Sequence, residues 1–79
     1  MKHLIETLEK KFSGYGHYKI SIEIEGKKLS TTTTNMPAID AAFDDCYDDL
    51  DNSDRIYETR KEAQTALVNE IFYANDIKL

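Results

Sequence analysis

The chain has 79 residues, of which 41% are apolar and 32% charged, with one Cys, one Pro and no Trp. This is too short for two ordinary domains of roughly 50–200 residues each. No apolar run approaches the about 20 residues of a membrane span, no apolar stretch follows Lys2 and His3 as in a signal peptide, and a lone Cys closes no internal disulfide.

Ten basic and fifteen acidic residues give a formal net charge of −5. The charge is unevenly placed. Residues 1–34 carry net +2, residues 35–54 carry seven Asp and no Lys or Arg, and residues 55–79 are neutral. The expectation is a cytoplasmic, single-domain protein over residues 1–79 with one concentrated anionic segment.

Residues 2–12 read as a helix, because Leu4, Ile5, Leu8 and Phe12 share one helical face and Ser13-Gly14 supplies a stop. Residues 17–25 read as a strand, with Tyr18, Ile20, Ile22 and Ile24 alternating with polar residues. Gly26 marks a tight hairpin turn. A second strand over about 28–34 follows from its β-branched threonines. Leu29, Thr31 and Thr33 share the isoleucine face.

Asn35 and Pro37 open a second helix. Ile39, Ala42, Phe43, Cys46, Tyr47 and Leu50 form its apolar stripe. Residues 51–54 are loop chemistry, and residues 55–58 are a candidate third strand. Thr59-Arg60-Lys61-Glu62 is a capping box for a last helix over about 60–75, with Ala63, Ala66, Leu67, Ile71 and Ala74 inward and Val68 and Phe72 beside them. The expected order is α-β-β-α-(β)-α, an α+β fold with a hairpin covered by helices, because a two-stranded hairpin is marginal alone.

On the second helix Asp40, Asp44 and Asp48 fall at i, i+4, i+8, with Asp45 and Asp49 in a parallel row and Asp51 beyond. Like charges at this spacing cost about 0.2–0.5 kcal/mol per pair. Asp40 to Asp54 would span about 21 Å as continuous helix, one charge per ~3 Å, close to the 3.4 Å spacing along a DNA strand. Such a face suits a basic protein surface, including that of a nucleic-acid-handling host protein. The alternative is a solvated face. Asp49, Asp51 and Ser53 begin like a calcium loop, but its sixth and twelfth positions hold Asp54 and Arg60 instead of Gly and Glu.

Enzymatic chemistry finds no support. Cys46 is expected in the core, among aspartates that disfavour a thiolate. His3 and His17 have no ligand-spaced partner, so neither metal nor cofactor is expected. Gly14-Tyr15-Gly16 precedes no helix and is not a phosphate loop. The alternative binding surface is basic: Lys10, Lys11, Lys19, Lys27 and Lys28 lie in the N-terminal half with Tyr15 and Tyr18 nearby, and Lys19, Lys27, Lys28 and Tyr15 are its named contacts. Glu23 and Glu25 dilute it, so direct nucleic-acid binding stands second to the acidic face. Either a monomer or a homodimer fits.

Through Gly14-Tyr15-Gly16-His17-Tyr18, the strand Lys19-Ile20-Ser21-Ile22-Glu23-Ile24, the turn Gly26-Lys27, Thr32-Thr33-Thr34-Asn35 and Glu62-Ala63, the chain resembles small proteins of phages and other mobile elements over about residues 14–75. Those relatives bring no assigned catalytic or binding residues. In size, acidity and α+β layout the chain is similar in type to phage-encoded inhibitors of host defence, the anti-CRISPR and DNA-mimic class. That likeness implies a non-enzymatic inhibitor acting through protein–protein contact.

Overall fold

The computed structural model describes residues 5–49 and 55–77. Leu50, Asp51 and Asp54 lie outside them. Strands β2 (His17–Ile24) and β3 (Lys27–Thr33) form the expected antiparallel hairpin. Ile24 faces Lys27 across Glu25 and Gly26, whose φ angles are 49° and 80°. Two successive positive values make a type I′ turn, whose twist matches that of its strands.

The helix expected over residues 2–12 is replaced, from Glu9 on, by a strand. Residues 5–7 make a helical turn, and β1 (Glu9–Gly14) pairs with the other edge of β2, giving the sheet order β1-β2-β3. Gly14, Tyr15 and Gly16 all have positive φ and reverse the chain between β1 and β2. The glycines read as a helix stop are thus a hairpin turn. Pairing satisfies the backbone groups along β2 that β3 leaves free. Where β1 has ended, the Thr7 hydroxyl accepts the Glu23 N–H instead, at 3.2 Å.

Helix α1 (Met36–Ala42) starts where expected. The Asn35 side chain caps it by accepting the Ala38 N–H. It ends eight residues before Leu50, so the continuous acidic helix is also corrected. Residues 47–49 form only a 3₁₀ turn. Asp is a weak helix former, and the Asp44 carboxylate accepts the Cys46 N–H at 3.0 Å, drawing the backbone into a local turn. Cys46 is consequently exposed rather than in the core. Residues 55–58 form bends and not a strand.

Helix α2 (Arg60–Ala74) follows the capping box. The Thr59 hydroxyl accepts the Glu62 N–H, and Glu62 reaches back to the Glu58 N–H, both at 3.0 Å. Its buried stripe is Ala63, Leu67, Val68, Ile71 and Phe72, while Ala74 is exposed.

Both helices lie on one face of the sheet. The core joins Ile20 and Ile22 of β2 to Ala38, Ile39, Ala41 and Ala42 of α1 and to the α2 stripe. Each fully buried Ile or Leu contributes about 1.5–3 kcal/mol. The result is a two-layer α+β fold only 19 Å deep in its thinnest direction. No helix among the described residues covers the second face of the sheet.

Candidate functional site

Three of the five described aspartates of the acidic segment serve the fold. Asp44 holds its own turn, as above. The Asp45 carboxylate pairs with the Arg60 guanidinium at 2.9 Å. Asp48 accepts the Arg60 backbone N–H at 2.6 Å, an unpaired donor at the positive end of α2. Arg60 Nε and Gln64 Nε2 both donate to the Ala42 carbonyl, at 3.1 and 3.0 Å, tying the end of α1 to the start of α2. Arg55 donates to the Tyr47 carbonyl at 2.7 Å and sits over its ring, and the Tyr47 hydroxyl donates to the Tyr57 carbonyl. Asp40 and Asp49 are exposed, and their carboxylates have no hydrogen bond or ion pair among the described residues. The expected row of aspartates on one helix face does not exist.

The basic candidates fare differently. Directly paired residues of an antiparallel sheet point to one side, so the register defines the open face. Lys11 faces Lys19, which faces Thr32. One row along, Glu9 faces Ser21, which faces Ser30; beyond that, Glu23 faces Lys28. Glu9, Lys10, Lys11, Lys19, Ser21, Lys28 and Ser30 line a shallow depression of about 410 Å³ on this face. Ser21, at its floor, is only 7% exposed.

Lys28 pairs loosely with Glu9 at 3.8 Å, but Lys11 and Lys19 have no ion-pair partner among the described residues. Of the basic residues named from sequence, Lys19 and Lys28 share this depression. Lys27 faces Ile24 and so has the opposite side's register. Tyr15 sits at the tip of the β1–β2 hairpin, fully exposed.

Lys11 is part of the basic patch read from the sequence, but a helix over residues 2–12 gives it no place opposite Lys19; the paired strands do. The signal that finds it is Gly14-Tyr15-Gly16 read as a turn ahead of an alternating strand. At the same end, Phe12 is 65% exposed and packs edge-on against Tyr18, ring centroids 5.6 Å apart. Lys10 lies 5.6 Å from the Tyr18 ring and 5.0 Å from that of Phe43.

Among the described residues no group of three or more His, Cys, Asp or Glu is arranged to hold a metal ion, and no helix is long and apolar enough to cross a membrane. No protein family, curated protein or solved structure matches this chain.

Proposed function

We propose that the protein is a non-enzymatic cytoplasmic binding module that engages an anionic partner through the open face of its sheet. Lys11 and Lys19 are the principal contacts and Lys28 a secondary one. The observation that carries this reading is that Lys11 and Lys19 stand directly opposed, without an ion-pair partner among the described residues. Like charges directly opposite destabilise a sheet. A bound anion between the two ammonium groups turns that repulsion into attraction.

The dilution by glutamates expected from sequence is relieved by the register. Glu23 and Glu9 lie toward Lys28, leaving the Lys11–Lys19 row free of acids. The test is elution from heparin, a polyanion of no particular sequence, with a salt gradient. The Lys11→Ala/Lys19→Ala variant is expected to elute at distinctly lower salt, and a Lys61→Ala control on α2 close to wild type. Equal elution of all three proteins would remove the lysine face from consideration.

A second reading keeps the acidic segment as the partner surface, now reduced to the exposed Asp40 and Asp49. It makes the protein an inhibitor of the phage-encoded type, docking on a basic surface of a host protein. It predicts salt-sensitive capture of a basic host protein that is lost in Asp40→Asn/Asp49→Asn and retained in Lys11→Ala/Lys19→Ala.

A further inference from the structure

We infer that the anionic partner is single-stranded nucleic acid and that Tyr15 is the platform on which one of its bases stacks; this rests on the lysine-face reading above. Tyr15 is fully exposed, so its ring adds no burial to the fold. Its φ of 24° lies in the left-handed region, where an L side chain crowds its own backbone. The flanking Gly14 and Gly16, at φ 125° and 76°, already give the turn its freedom. Gly or Asn at the central position would serve the turn better. A large aromatic ring kept where it is both exposed and unfavourable has its use outside the fold.

Its surroundings name that use. Phe12, exposed at the same end of the sheet, faces Tyr18 and so lies on the isoleucine side, leaving Tyr15 at the turn as the ring offered here. Beyond the Gly14–His17 and Phe12–Tyr18 pairs that follow this turn comes the acid-free Lys11–Lys19 pair. Glu23, which faces Lys28, stands four positions along β2 from Lys19, about 13 Å at the usual strand rise. A cationic row with an exposed aromatic ring beyond its end is a common form of single-strand site. Phosphates follow the charges, and an unpaired base lies on the ring. A duplex keeps its bases stacked on one another and offers none to Tyr15. An acidic peptide would use the lysines and leave the ring idle.

The net charge of −5 does not oppose this. The acidic excess falls between residues 40 and 54, and its described part belongs to the helix layer. Screening over about 8–10 Å at physiological salt leaves the open face governed by its own lysines.

The experiment is fluorescence anisotropy at several salt concentrations with four labelled probes. They are an oligothymidylate of about 12 nucleotides, within the range of single-strand site sizes, an abasic strand with the same number of phosphates, a duplex of the same length, and poly-glutamate. Wild type is expected to bind oligothymidylate about 5- to 100-fold more tightly than the abasic strand. The log–log salt slope is expected near about −2, for three lysine–phosphate contacts.

Tyr15→Ala is expected to erase the preference for bases and leave the slope unchanged; Tyr15→Phe should retain both. Lys11→Ala/Lys19→Ala is expected to flatten the slope and weaken all probes. Equal binding of oligothymidylate and the abasic strand overturns the stacking inference while sparing the lysine face, as does tighter binding of the duplex or of poly-glutamate. Failure of all four probes to bind overturns both.

Discussion

At the scale of single residues, charge in this chain has two different fates. Asp48 and Asp45 look from the sequence like an outward-facing row, yet both are turned to Arg60, one to its backbone N–H and one to its guanidinium. Asp48 acts as an auxiliary cap for α2. Asp48→Ala should therefore cost about 1 kcal/mol, the usual loss for a capping acceptor. Asp49→Ala, which removes an exposed carboxylate, should stay within about 0.5 kcal/mol. Urea denaturation of the two variants side by side checks this; equal and negligible effects would mean that Asp48 contributes nothing to the joint between the helices. Lys11 and Lys19 are the converse case, since they contribute repulsion to the sheet and gain nothing from it without a partner.

At the scale of elements, what decided legibility was whether local and tertiary preferences agreed. The β2–β3 hairpin was readable because Tyr18, Ile20, Ile22 and Ile24 alternate strictly and Gly26 sits at the turn. The start of α2 was readable because Thr59 and Glu62 carry their own hydrogen-bond pattern. The stretch from Leu8 to Phe12 was not, because its apolar residues fit a helix while β2 still had an unpaired edge; Lys11 could be named as basic surface, but its place directly opposite Lys19 could not. The end of α1 was hidden by an apolar stripe that continues past Ala42. Asp44 breaks that helix through a hydrogen bond to Cys46 N–H, which periodicity cannot register. The corrected end of α1 has a direct consequence for Cys46. An exposed thiol should react with a maleimide or disulfide reagent in native buffer, at a rate close to that in denaturant. Protection of the thiol until the chain unfolds would restore the longer helix and its buried Cys46.

At the scale of the whole molecule, one sheet separates stability from binding. Its isoleucine face holds the core; its lysine face holds no apolar cluster among the described residues. For a chain of this length, total stability is about 4–12 kcal/mol at ordinary values per residue. Leu67 is fully buried at the centre of the α2 stripe, and Leu67→Ala should cost about 2–5 kcal/mol. At about 4–8 °C per kcal/mol for a domain of this size, the melting temperature should fall by at least about 8 °C. Lys11→Ala/Lys19→Ala should leave it unchanged or raise it, because the substitution removes a like-charge pair. Calorimetry of the two variants measures the separation. A melting temperature that falls in the lysine variant as it does in Leu67→Ala would mean that these lysines belong to the fold, and the face they occupy would lose its claim to a partner. A stable lysine variant that no longer binds polyanion places the two properties on opposite sides of β2, where Ile20 and Ile22 point one way and Lys19 and Ser21 the other.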